Sequence, residues 1–377
     1  MLKLTLNTNE LKEKLALVIK ASNLTTPVSD YSRCVLIEVE KATNELVFTC
    51  CNYAMEIKSR MSVDIETTTD KEPKMFVLEV ESFSKFVNKL PSNETKLTIE
   101  NNICKINSGR VRFSLGLFGD ANTFPHCVAP ETKEKVTFEG AVFAEKSKKT
   151  IFASTNPKSN QMMGGMHMTI KNGKVELTCL DGHRVAINSF ELTNTIVADK
   201  DCVIPVISIK TILSNIAKAK EVSISMDEKN IAFSFDGNVV YIRLLDGNFF
   251  AIEKMVSNKR DINISINRLD LLEAVSRAEL VTQLNATTKR PVIFEFAKDS
   301  ISVTANNGPG EMKEDIDATC ENLGNMKDIA FNPIFIREML SVISDDIVRM
   351  ELIGPKAPMY VVGEDYTYLT LPVNIQR

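Results

Sequence analysis

The chain is poor in the groups that carry out chemistry. Among its 377 residues there are three histidines, His126, His167 and His183, and none belongs to an H-E-x-x-H pattern. No G-x-S-x-G elbow and no G-x-x-x-x-G-K-[ST] loop occurs, which removes zinc-peptidase, serine-hydrolase and P-loop readings. The pair Gly164-Gly165 lacks the third glycine and the strand-to-helix setting of a dinucleotide site. The eight cysteines (Cys34, Cys50, Cys51, Cys104, Cys127, Cys179, Cys202 and Cys320) form no C-x-x-C pair, so the common zinc and dithiol spacings are missing. Most lie in apolar strand-like runs and read as buried, reduced thiols of a cytosolic protein. No metal and no cofactor is expected. No apolar run nears the ~18 residues of a membrane span. Residues 1–6 alternate like a strand and have neither the apolar core nor the cleavage site of a signal peptide. Helix-turn-helix, zinc-finger and basic-zipper patterns are also missing.

What the chain has is repetition. A short apolar strand running into an amphipathic helix occurs as Val77-Leu78-Glu79-Val80, as Val203-Ile204-Pro205-Val206 and as Ile329-Ala330-Phe331-Asn332, with successive copies 126 residues apart. Under that offset the apolar helix positions coincide: Phe83, Ile209 and Phe335; Val87, Leu213 and Met339; Leu90, Ile216 and Val342. The i, i+4, i+7 spacing gives each helix one buried stripe. A repeat this long is a domain and not a solenoid unit. Three domains are expected, at residues 1–132, 133–259 and 260–377. Each opens with a strand and a helix (helices at 9–23, 140–154 and 267–280). Each continues through strands to the second strand-helix unit (helices at 81–90, 206–220 and 332–344) and closes with hairpin strands. Strands outnumber helices, so each domain should be a sheet layer backed by a helix pair.

Net charge is −4, but its distribution matters more than its sum. The six expected helices hold 14 basic and 8 acidic side chains, which leaves the excess of acid on the remainder. Lysines suit any solvated helix face. A basic helical face could equally attract phosphates without reading bases.

One tetrad stands out, Asp181-Gly182-His183-Arg184, after an expected strand at 175–180. Acid/base work by Asp181 and His183 is one reading; a structural turn with Gly182 at a special backbone angle is the other. With the following Val185-Ala186 it resembles the turn in the middle domain of the bacterial sliding clamps, the beta subunits of DNA polymerase III. Other matches run the whole length, among them Ser108-Gly109-Arg110, Arg112-Phe113-Ser114-Leu115, Leu245-Asp246-Gly247-Asn248-Phe249, Thr304-Ala305-Asn306-Asn307 and Leu371-Pro372-Val373.

The resemblance implies an α+β chain of three repeated sliding-clamp (DNA clamp) domains, each with two helices backed by antiparallel sheets, closing into a ring as a homodimer. Twelve helices spaced about 9–10 Å apart would leave a hole of roughly 25–28 Å, wide enough for duplex DNA. It implies a non-catalytic processivity factor of the cytoplasm that slides on DNA without sequence preference. Candidates for duplex contact are Lys12, Lys20, Lys85, Lys146, Lys148, Lys149, Lys158, Lys210, Lys218, Lys220, Arg268, Arg277 and Arg337. Polymerase, clamp loader and repair proteins would dock short peptides in an apolar pocket between the second and third domains. The matching positions are Met163, Leu180, Gly182, His183, Arg184, Val185, Phe250, Lys254, Met255, Asn332, Phe335, Pro358, Met359, Leu369, Leu371, Pro372 and Val373. Phe113 and Leu115 would meet Leu280 and Val281 of a second copy. The chain departs from the family at Phe250, where proline is frequent, at Asn374, where arginine is frequent, and at Lys289, where an aromatic can occur. A scaffold of the same fold that does not encircle DNA is the alternative.

Overall fold

The computed structural model describes every residue except 23–27, 68–73, 133, 156–159, 193–197, 257–258, 285–290 and 375–377. Six α-helices occur among the described residues: α1 (Thr8–Val18), α2 (Val80–Asn88), α3 (Gly140–Ile151), α4 (Val206–Ile216), α5 (Arg268–Thr282) and α6 (Pro333–Val342). None is long and apolar enough to cross a membrane. Four have side-chain N-caps on the last residue of the preceding strand or just beyond it. Asn7 accepts from the amides of Asn9 and Glu10, Glu79 from Ser82, Asn267 from Leu269 and Asp270, and Asn332 from Ile334. Each cap satisfies donors that the first helical turn leaves without a partner.

Contacts divide the chain into two compact units, 1–141 with 207–244, and 142–206 with 245–377. The first holds a five-stranded sheet in the order Asp64–Thr67, Leu2–Asn7, Glu94–Glu100, Ile103–Ser108, Val111–Gly116. Its eight-stranded sheet runs Val136–Phe138, Val222–Met226, Asn230–Phe235, Asn238–Arg243, Met55–Ser62, Glu45–Cys51, Cys34–Glu40, Met75–Glu79. The second unit holds twelve strands in one order: Lys200–Pro205, Gly165–Lys171, Lys174–Leu180, Arg184–Glu191, Tyr366–Thr370, Met359–Val362, Ile347–Leu352, Ile262–Asn267, Glu311–Glu321, Ser300–Asn306, Val292–Phe296, Asp328–Phe331. The middle third is thus shared between the units, because its two strand groups each extend a neighbour's sheet.

The threefold pattern is explicit in the pairing. The strand opening each third pairs with the strand that follows its second helix: Leu2–Asn7 with Glu94–Glu100, Val136–Phe138 with Val222–Met226, Ile262–Asn267 with Ile347–Leu352. Two junctions between thirds are made by backbone pairing. Asn238↔Ser59 through Ile242↔Met55 joins the second to the first. Tyr366↔Asn188 through Thr370↔Arg184 joins the third to the second.

The expected helix stripes are buried in α2 and α4: Phe83, Val87, Leu90, Ile209, Leu213 and Ile216 are all 5% exposed or less. In α6 the stripe is turned. Ile336, Met339, Leu340 and Ile343 form the core face, while Phe335 and Val342 are only half-buried. α1 ends at Val18 and not at 23, passing into a tighter turn at Ile19–Ala21. α4 ends at Ile216, four residues short of the expected end, and its last carbonyls are covered. A Cβ on Gly140 would collide with the carbonyl oxygens of Ile216 and Ala219, so only glycine allows this approach.

Candidate functional site: an apolar cluster beside a buried arginine

The strand Lys174–Leu180 returns as Arg184–Glu191 through the Asp181-Gly182-His183-Arg184 turn. One carboxylate oxygen of Asp181 accepts the amides of His183 (3.0 Å) and Arg184 (3.1 Å), a turn in which an Asp side chain mimics a peptide carbonyl. Gly182 takes φ +87°, a value that favours glycine. The other oxygen of Asp181 accepts from Nε of Arg184 at 2.8 Å, and Nη1 of Arg184 reaches Glu338 on α6 at 2.6 Å. The guanidinium lies 4.4 Å from the ring centre of Phe335 and 5.3 Å from that of Phe152. His183 tilts against Phe335 at 6.1 Å. Asp181 is therefore used as a turn former and as an arginine partner, and its bonds explain the tetrad without acid/base chemistry.

Arg184 is 8% exposed. A charge this buried needs both carboxylates, and removing one partner of such a set costs about 3–5 kcal/mol. The arginine ties the turn to α6 beside Phe335. The α6 stripe is displaced because this helix, capped by Asn332, begins at Pro333, one residue later than the repeat offset from Val206 places it, so that Ile336, Leu340 and Ile343 take the core positions.

Beside this turn Leu180, Val185, Tyr360 and Leu369 form a buried apolar cluster, with Met163, Ile187, Phe249, Phe250, Ile252, Val256 and Val362 half-buried against it. Phe249 meets Phe250 edge-on at 5.5 Å and stacks on His167 at 4.5 Å. Of the resemblance-derived positions, Met163, Leu180, Val185, Phe250 and Leu369 thus share one cluster. Gly182, His183, Arg184 and Phe335 lie at the turn above it. Leu371 is tied there by its amide to the His183 carbonyl (2.8 Å), and Val373 by its amide to Ala330 (2.8 Å). Met255, Leu371 and Val373 are 39–40% exposed. Asn332 is the α6 cap, and Met359 is 1% exposed, a core residue. Lys254 is exposed on a one-turn helix and Pro358 precedes the strand Met359–Val362. Phe152, Ile187, Tyr360, Val362 and Glu338 take part but were not named from sequence, and Phe249 was named only within the Leu245–Phe249 match and not as a pocket residue. Val362 and Ile187 could have been found by strand alternation with Tyr360 and Val185.

The basic candidates divide by what they touch. Lys146 pairs with Asp365. Lys149 pairs with Glu145 at 2.6 Å, and both of these lysines are 8% exposed. Lys85 pairs with Glu81 (2.5 Å), Arg277 forks onto Glu314 (2.8 and 2.6 Å), and Arg337 reaches Glu279 (2.5 Å). That fork holds the Glu314 carboxyl below the usual carboxylate range. Lys12 caps the Leu90 carbonyl (3.2 Å), and Arg268 reaches the carbonyls of Asp345 and Leu340 (3.1 and 3.3 Å). Lys20 donates to Asn215 (2.6 Å), and partial burial together with the charge of Lys218 pulls its pKa down. Lys148, Lys210, Lys218 and Lys220 are exposed and make no ion pair among the described residues. Lys158 and Lys289 lie outside the described residues.

Phe113 stacks on Phe86 of α2 at 4.4 Å. Phe113 and Leu115 are half-buried on the strand Val111–Gly116, which ends its sheet. On α5, Leu280 is 67% exposed and Val281 half-buried.

Three modules, each with two helices on antiparallel strands and with their sheets joined end to end, define the class of DNA clamp folds. Comparison with known proteins gives the family. The N-terminal, central and C-terminal domains of the DNA polymerase III beta subunit match residues 2–128, 137–250 and 254–374. The beta sliding clamp of Bacillus subtilis is 24% identical, with 99% of this chain and 100% of that protein covered. That of Synechococcus elongatus is 23% identical, with both covered completely. A crystal structure of the Bacillus subtilis DNA polymerase sliding clamp superposes with a TM-score of 0.91 at 23% identity, covering 100% of each chain. The chain belongs to the DNA polymerase III beta subunit family, the beta sliding clamps.

Proposed function

We infer that this chain is a DNA polymerase processivity factor, a non-catalytic subunit that encircles duplex DNA as a homodimeric ring and slides on it. Family membership over the full length supports the role. The observation that carries the ring is the third junction. Two junctions are closed within the chain, each by a hairpin's second strand pairing with a strand of the preceding third. The equivalent strands for a third junction are both present and both open. Val111–Gly116 is paired on one side only, and residues 311–316 of Glu311–Glu321 have only Ser300–Asn306 beside them among the described residues.

Hairpin register aligns Val111 with Asn238 and Tyr366, and Glu314 with Ser59 and Asn188. The third junction then pairs Val111 with Glu314 and Phe113 with Met312 of a second copy. All four side chains are half-buried in strands whose alternate residues are exposed, so the inward faces match. Phe113 and Leu115 come from one copy, and Leu280 and Val281 of α5 from the other. Two such seams close a dimer of six modules, with boundaries near 132/133 and 259/260.

Lys148, Lys210, Lys218 and Lys220 are the cations left for phosphate contact, with Lys20 beside Lys218. Loose contact of this kind carries no base information and permits sliding. The apolar cluster beside Arg184, with Met255, Leu371 and Val373 exposed around it, is the docking place for peptides of the polymerase, clamp loader and repair proteins. Its Met and Phe side chains suit several partners. The setting is the bacterial cytoplasm. Retention on a nicked circular plasmid, measured before and after linearisation, tests the reading. A topological link is lost at free ends, whereas a scaffold bound to the surface of DNA, or not bound at all, would behave alike on both forms.

A further inference from the structure

We propose that Cys51, Cys127 and Glu56 form a zinc-binding site that clips the segment following the first repeat onto its sheet. Cys51 ends the strand Glu45–Cys51, Glu56 faces it from the strand Met55–Ser62, and Cys127 lies in the connection toward the second repeat. The two sulfurs are 3.8 Å apart. A tetrahedral zinc with Zn–S bonds of about 2.3 Å spans about 3.8 Å between two thiolates. One carboxylate oxygen of Glu56 completes a set of three donor atoms all within 4.8 Å of one another. Cys51 is fully buried and Glu56 is 1% exposed.

Glu56 is the second, independent pointer to a ligand. Its Oε2 accepts the Cys127 amide at 2.7 Å and lies 3.3 Å from Nδ1 of His126. Its Oε1 is ion-paired with the Lys58 ammonium at 3.2 Å and makes no directed hydrogen bond. A buried carboxylate oxygen held by an ion pair alone keeps lone pairs free for a metal ion. Two thiolates and one carboxylate on Zn²⁺ leave one negative charge, which Lys58 offsets. His126 orients the carboxylate, as the outer partners of metal ligands do. A cavity of about 710 Å³ touches Cys127 and His126 of this group, with Tyr53 and Arg243 also in its wall, and opens the site toward solvent on the Cys127 side. Sulfur with carboxylate in a small closed set favours zinc over magnesium or calcium.

The repeat shows what this position is worth. Cys51↔Glu56 closes its hairpin in the same register in which Leu180↔Val185 closes the next one. There the pair heads an apolar cluster with an exposed surface. Here Cys51 belongs to a buried apolar cluster with Cys34, Leu36, Val77 and Phe124, and Cys127 of the connecting segment packs half-buried against it, with the Glu56 carboxylate beside both sulfurs. The first junction is therefore clamped shut at the place where the second takes partners. Sequence spacing hid the site, because the cysteines are 76 residues apart.

The test uses the full-length protein, reduced and freed of metal with a chelator, then given Zn²⁺ or Co²⁺ alone. The expected results are one zinc per chain after desalting, and a cobalt spectrum with thiolate charge-transfer and tetrahedral bands. Zinc should protect Cys51 and Cys127 from alkylation, and Cys51→Ser, Cys127→Ser or Glu56→Gln should weaken binding about tenfold or more. Zinc retention unchanged in the double cysteine variant overturns the proposal, as does a cobalt spectrum without thiolate bands. If the variants fail to fold, the wild-type cobalt spectrum and the alkylation map decide. Equal labelling of both cysteines with and without zinc, or a Cys51–Cys127 disulfide with no metal uptake after its reduction, also overturns it.

Discussion

Phe113→Asp is the most informative single change, because it acts on a seam that a closed dimer must have twice. Phe113 is half-buried in its own module against Phe86, so seam formation covers only the rest of the ring. Full burial of a Phe is worth about 1.5–3 kcal/mol, so half of it is about 1 kcal/mol. An aspartate there adds a carboxylate desolvated without a partner, beside Glu314 of the other copy, at about 2 kcal/mol or more. The total is about 3 kcal/mol per seam and about 6 per ring, or ~10⁴ in the dimer dissociation constant. Sedimentation equilibrium reads this directly. The substitution also disturbs the Phe86 stack, so a second variant is needed that leaves the module alone. The Leu117 amide donates back to Asn102 (2.8 Å). By alternation the amides of Arg112, Ser114 and Gly116 then face the open side. Ser114→Pro removes one of those donors at an exposed position without touching the internal ladder. Dimers of unchanged affinity in both variants would place the seam elsewhere and end the argument from register.

Reversal of Lys148, Lys210, Lys218 and Lys220 to Glu should abolish polymerase stimulation on primed circular DNA while stability changes by no more than about 0.5 kcal/mol per site. Stimulation that survives all four would remove these lysines from the DNA path. Met255→Glu with Leu371→Glu should lower affinity for an apolar-anchored clamp-binding peptide by about tenfold or more, read by fluorescence anisotropy, with an unchanged melting temperature. Arg184→Ala should cost about 3–5 kcal/mol in denaturant unfolding, because Asp181 and Glu338 then lose their shared cation. Gly140→Ala should lower the melting temperature, since its Cβ meets the Ile216 and Ala219 carbonyls, at about 1–3 kcal/mol.

The threefold architecture was legible because the strand-helix units repeat at a fixed offset and their apolar stripes coincide. Helix ends were less so: α4 stops at Ile216 because α3 begins against its carbonyls, a tertiary contact no local pattern records. Phe335 reads as core by its spacing, as Phe83 and Ile209 do. It leaves the core because α6 begins one residue late against the repeat, so Ile336 takes the stripe position and Phe335 lies against the guanidinium of Arg184. The pocket cluster was partly named through Leu180, Val185 and Leu369. Phe249 and Tyr360 were missed, since an aromatic in a strand or loop looks the same whether it floors a pocket or fills a core. The lysines were readable as a group and not as individuals. Lys146 and Lys149 are consumed by Asp365 and Glu145, partners that only the fold or a helix turn brings near.

The junctions are made from main-chain ladders, and a ladder is indifferent to most of the side chains that carry it. Mutational drift can therefore replace nearly everything along these edges, provided inward positions stay apolar and no proline blocks a donor. Chains related by only a quarter of their residues can keep the same seams for that reason. In the proposed ring it would also make the two intermolecular seams the natural gates: they would have the same chemistry as the junctions within each chain but no covalent chain to hold them shut.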